Sequence, residues 1–78
     1  MLAGDYSEAR ARLKQALELF SQLNTRRQIG RALFELGELA AAQGDIAGAR
    51  DYFFRALAEF ETMQAASDAA QTRVRLET

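Results

Sequence analysis

The chain has 78 residues and a net charge of −1, and it contains no cysteine, histidine or proline. A chain this short supports one small domain at most and buries only roughly 60% of its unfolded surface. Its composition removes disulfides, thiolate metal sites and the commonest general base and metal ligand. The even mixture of acids and bases gives no long-range attraction to nucleic acid or an anionic membrane. No apolar run approaches the ~20 residues that span a bilayer. Met1-Leu2-Ala3-Gly4-Asp5 has neither the basic region nor the apolar stretch of a signal peptide, so a cytoplasmic protein is expected.

Alanine, leucine, glutamate, arginine and glutamine dominate, and alternating β-branched runs are missing. The expected class is all-α, with about four helices. In chain order the periodicity predicts helices near 6–22, 27–43, 46–64 and 67–77. Ala9, Leu13, Ala16, Leu17 and Phe20 form one stripe on the first. Ile29, Leu33, Leu36 and Ala40 mark the buried side of the second. Ala49, Phe53, Ala56, Leu57 and Phe60 repeat the first stripe on the third. These are helical spacings.

The turns carry their own signals. Gly44-Asp45 ends one helix and caps the next, since glycine tolerates positive φ and aspartate accepts from a free helix N–H. Gly4-Asp5 reads in the same way, with Glu8 as a capping-box-like acid. Asn24-Thr25 suits a turn and an N-cap, and Ser67 or Asp68 is the expected cap of the last helix.

An internal repeat organises the whole. Gly4-Asp5-Tyr6-Ser7-Glu8-Ala9-Arg10 resembles Gly44-Asp45-Ile46-Ala47-Gly48-Ala49-Arg50, with Gly, Asp, Ala and Arg shared. At the same offset the match continues through Leu13 with Phe53, Phe20 with Phe60, Phe34 with Val74 and Leu36 with Leu76.

Leu33-x2-Leu36-Gly37-x2-Ala40, followed by Ala49-x3-Phe53 and Ala56, resembles the tetratricopeptide repeat signature. Leu33 stands where that family has Trp, Ala40 where it has Tyr, and Glu61 where it has Pro. A period of about 40 residues exceeds the family's usual one of about 34. The longer-period relatives in MalT-like regulators and kinesin light chains look closer. The resemblance implies antiparallel helix-turn-helix repeats in an α-solenoid. It divides the chain into the second helix of one repeat (5–23), a full repeat (27–64) and the start of the next (67–78). Met1–Gly4 then falls over the last turn of a preceding helix, and the chain is expected to be a piece of a longer array.

Catalysis is not expected. Glu35/Glu38 and Glu59/Glu61 are the candidate carboxylate pairs, but no histidine completes a metal site and no phosphate loop or nucleophile–base pair is present. They read as solvated positions on amphipathic helices, with no cofactor or metal implied. Arg26, Arg27 and Arg31 cluster near the start of the second helix, and Arg73 and Arg75 sit on the last. Arg26 and Arg27 are read as lying in a solvated loop and snorkelling over apolar neighbours, because no basic balance or interleaved aromatics accompany the clusters.

The resemblance implies a protein or peptide partner held in a concave groove lined by the first helix of each unit. Carried over, the groove residues are Arg31, Phe34, Glu35, Glu38 and Ala41 on the second helix, and Gln71, Val74 and Arg75 on the last. Phe34 lies beside the buried stripe and has two open roles: an anchor for a partner, or core against the last helix. A sensor arm of a bacterial transcription regulator is the rival function, and a plain four-helix bundle the rival fold. Repeats of this kind hide their apolar faces only against neighbours. The isolated chain, with Ala9, Leu13 and Leu17 exposed at one end and Val74 and Leu76 at the other, is therefore expected to self-associate.

Overall fold

The computed structural model describes residues 3–77, with side chains from Tyr6 onward. Among the described residues there are four helices: α1 (Ala3–Leu23), α2 (Arg26–Ala42), α3 (Ile46–Thr62) and α4 (Ala66–Glu77). The predicted spans agree closely, apart from the start of α1 and the cap of α4.

Each of the three junctions ends its helix in the same way. Asn24, Gly44 and Gln64 have positive φ, at 57°, 84° and 59°. Around each, two backbone bonds close the helix end. Thr25 N–H donates to Phe20 and Asn24 N–H to Ser21. Asp45 donates to Ala40 and Gly44 to Ala41, then Ala65 to Phe60 and Gln64 to Glu61. This is the Schellman arrangement, which satisfies carbonyls the helix leaves unpaired. The next residue in each case accepts the first bond of the following helix: Thr25 from Ile29, Asp45 from Ala49, Ala65 from Ala69.

Asp45 is the N-cap the sequence predicts, its Oδ1 accepting from Gly48 N–H at 3.0 Å. Thr25 holds the equivalent backbone position without capping. Its hydroxyl donates back to the Phe20 carbonyl at 3.3 Å instead. Two expectations are corrected. Ser67 and Asp68 lie within the first turn of α4 and not at its cap, because the turn closes at Gln64 and Ala65 through backbone bonds alone. Gly4-Asp5 is not a turn, since α1 already runs from Ala3. A first-turn position needs no i−4 acceptor, so glycine and aspartate cost little there. Met1 and Leu2, expected to overlie the end of a preceding helix, lie outside the described residues, as does Thr78.

Each helix packs on the next in sequence, α1 on α2, α2 on α3 and α3 on α4. The Cα envelope is a slab of 37 × 31 × 17 Å. A four-helix bundle would also join α1 to α4. The sequential packing fits a helical repeat instead.

The α2–α3 seam holds the core. Leu33, Leu36 and Ala40 of α2 and Ala49, Phe53, Ala56 and Phe60 of α3 are all buried. Its closeness comes from two glycines, Gly30 and Gly37, two turns apart on α2. A Cβ on Gly30 would sit 2.6 Å from the Phe60 ring, and one on Gly37 would sit 2.7 Å from the Phe53 ring. Each ring therefore lies flat in a notch that only glycine leaves open. The sequence pattern points to Gly37 for close approach but not to Gly30. Ala69 extends the core into α4. Thr72 is fully buried there, its hydroxyl donating to the Asp68 carbonyl at 2.8 Å.

Candidate functional site

The α2–α3 seam sets the position of α2, and α4 packs against the same apolar stripe of α3. The two helices therefore stand next to each other with a groove between them. From α2 the residues at i, i+3, i+4 and i+7 face it, namely Arg31, Phe34, Glu35 and Glu38. Asp68, Gln71, Val74 and Arg75 supply the α4 wall, and Phe60 reaches the floor from α3. The deepest part is a cavity of about 190 Å³ lined by Arg31, Phe34, Glu35, Glu38, Phe60, Asp68 and Gln71. That is smaller than the roughly 300–1,000 Å³ of small-molecule sites, and suits a single side chain.

Seven of the eight groove residues named from the sequence line this groove. Ala41 lies farther along, in a depression shared with Ile46, Arg50 and Leu76. Phe34 is tied to the core and still reaches the groove surface. Its ring meets Phe53 edge-on at 5.3 Å between centroids, and it stays half-buried. The Arg75 guanidinium lies 5.9 Å from the Phe34 ring centroid and pairs with Glu38 at 2.9 Å, bridging the groove. Asp68 reads from the sequence only as a cap. Its helical spacing to Gln71 and Arg75 is the signal that would have placed it on the same wall.

The arginine clusters are not loop residues. Arg26 and Arg27 stand in the first turn of α2, against its dipole, and each has a carboxylate from a neighbouring helix. Arg26 pairs with Glu59 at 3.5 Å and Arg27 with Asp68 at 3.9 Å, while Arg73 pairs with Glu61. These pairs are half-exposed and worth little individually. Together with Arg75–Glu38 they neutralise four of the five clustered arginines and three of the four candidate carboxylates, Glu38, Glu59 and Glu61. Among the described residues, Arg31 and Glu35 make no ion pair. No group of three or more histidine, cysteine or acidic residues among them is placed to hold a metal ion. No helix among them is long and apolar enough to cross a membrane.

Antiparallel helix pairs stacked in sequence, with a groove between alternate helices, define a helical-repeat protein. The model of the tetratricopeptide repeat matches residues 1–62, most of the chain, and the chain belongs to that family. Repeats of this family are in general protein–protein interaction motifs. Neither a curated protein nor a solved structure matches the chain.

Proposed function

We propose that the chain is a protein-interaction scaffold that holds a segment of a partner protein in the α2–α4 groove. The observation that carries this is Phe34, an aromatic ring fixed from behind by Phe53 and still open to the groove. A ring held in this way presents apolar area at little entropic cost to binding. Arg31 and Glu35 flank it without ion pairs of their own, so the fitting segment carries an apolar side chain with charges of both signs beside it.

The long-period subtype rests on the junctions. Asn24, Gly44 and Gln64 are evenly spaced, and one helix pair spans the interval from Asn24 to Gln64. On that period α2 and α3 are the two helices of one unit, α1 closes the unit before it and α4 opens the next. No observation of the structure favours the sensor-arm alternative.

The test is selection of binding peptides from a displayed random library, followed by affinity measurement on variants. Phe34→Ala is expected to weaken the selected peptides at least tenfold, about 1.4 kcal/mol, with helicity intact by circular dichroism. Arg31→Glu should weaken those that carry an acid. Phe54→Ala, on an exposed position of α3 away from the groove, should change nothing. Equal binding by Phe34→Ala, or loss of binding by Phe54→Ala, would refute the groove. Collapse of helicity in Phe34→Ala would make the ring core alone.

A further inference from the structure

α1 and α3 carry the same apolar stripe, one repeat period apart, but the two are covered differently. On α3, Ala49, Phe53, Ala56 and Phe60 are 4%, 4%, 0% and 2% exposed, because α2 and α4 both pack there. Their counterparts Ala9, Leu13, Ala16 and Phe20 are only half-buried, since α2 is the one helix packed against α1. Leu19 and Leu23 beside them are 52% and 62% exposed. An open depression lies at the N-terminal half of the stripe, lined by Glu8, Ala9, Arg12 and Leu13 with Glu35 of α2.

The stripe extends one step each way, to Tyr6 and Leu23. Its steps then alternate between three and four, the heptad pattern of a helix made to pair with another helix. Large and small residues also alternate along its middle: Tyr6, Ala9, Leu13, Ala16, Phe20, Leu23. If a second α1 is laid antiparallel over this one, Ala9 meets Phe20 of the other copy and Leu13 meets Ala16. Tyr6 meets Leu23 at the ends. Each alanine faces a large side chain, and the two-fold axis makes every contact twice. Parallel pairing would set alanine on alanine and leave gaps, which packed interiors do not tolerate.

Head-to-tail stacking does not offer the same fit. For α1 to be covered as α3 is, α4 of another copy would have to act as α2 does. Where α2 has Gly30, Leu33 and Gly37, α4 has Ala70, Arg73 and Glu77 at the same offset, all exposed, with Arg73 paired to Glu61. That face has no notch for Leu13 or Phe20 and carries two charges.

We propose that two copies of this chain associate through α1, antiparallel across a two-fold axis between Leu13 and Ala16. The surface differs from the α2–α4 groove, and the proposal does not rest on peptide binding. Sedimentation equilibrium of the chain at micromolar concentration should give twice the monomer mass. The Leu13→Glu variant should fall to the monomer with its helicity retained.

Geometry is read separately by cysteine crosslinking, which the absence of native cysteine makes clean. Tyr6→Cys mixed with Leu23→Cys should form a mixed disulfide on oxidation. Neither variant should crosslink to itself, because two copies of position 6 lie about 25 Å apart along an antiparallel pair. A monomer at every concentration, mass growing without limit, a dimer that survives Leu13→Glu, or self-crosslinking of Tyr6→Cys would each overturn the proposal.

Discussion

Replacing Gly37 with alanine sets two effects of opposite sign against each other. In a helix interior the change should stabilise by about 1 kcal/mol, because glycine is the more costly residue there. In this structure the new methyl carbon would sit 2.7 Å from Cε1 and 2.8 Å from Cδ1 of Phe53. Carbon atoms rest at roughly 3.5–4.0 Å, so the ring must withdraw by about an ångström. It has little room to do so, being 4% exposed and held edge-on by Phe34. Overpacking of this kind costs about 1–3 kcal/mol, and a weakened ring pair adds about 0.5–1.5 kcal/mol. At mid-range the net effect is a loss of about 2 kcal/mol, which lowers Tm by roughly 8–16 °C in a domain of this size. Thermal unfolding followed by circular dichroism measures it, at one fixed protein concentration because association also shifts Tm. Adding Phe53→Leu to Gly37→Ala should recover part of the loss, giving a non-additive pair. A rise in Tm for Gly37→Ala alone would show that helix propensity wins and that the ring does not fill the notch.

Five further substitutions test other parts of the account by the same melts. Gly44→Ala should destabilise by about 1–2 kcal/mol, because φ there is 84°, whereas Gln64→Gly should stabilise by up to about 1 kcal/mol by removing a side chain from φ 59°. Asp45→Ala should cost about 1 kcal/mol through loss of the bond from Gly48 N–H, and Asp45→Asn should keep most of it. Phe60→Ala should cost about 3–5 kcal/mol, a large share of the total stability of a chain this small, and a melt barely altered by it would contradict the seam against Gly30.

What was legible in the sequence was what local chemistry decides. Gly44-Asp45 and Asn24-Thr25 announce their turns through residues that tolerate positive φ, and the stripes on α1, α2 and α3 follow from spacing alone. Gly4-Asp5 misleads because the same dipeptide serves a turn or the first turn of a helix, and the residues around it decide which. Gln64-Ala65-Ala66 carries no cap chemistry, so Ser67 and Asp68 look like the better caps. The signal that could have found the turn was even spacing, since Gln64 stands as far beyond Gly44 as Gly44 stands beyond Asn24. Gly30 reads as a weak helix residue until Phe60 is known to lie against it. Arg26 and Arg27 find their carboxylates on α3 and α4, partners that no local pattern names. For the groove, the family resemblance named Arg31, Phe34, Glu35, Glu38 and Ala41 on α2, and the first four share one wall. The second wall needed the neighbour relation of α2 and α4, which came from the repeat and not from any single motif.

The claim on which the groove depends is that the Phe53 and Phe60 rings lie in the notches at Gly37 and Gly30, since this seam fixes where α2 stands. Carbon-edited NOE spectroscopy reads it directly. The account predicts strong cross-peaks from the Gly37 α-protons to the Phe53 ring and from the Gly30 α-protons to the Phe60 ring, with both sets of α-protons shifted by the ring currents. Glycine α-protons at random-coil positions, or rings whose cross-peaks lead to other helices, would contradict it.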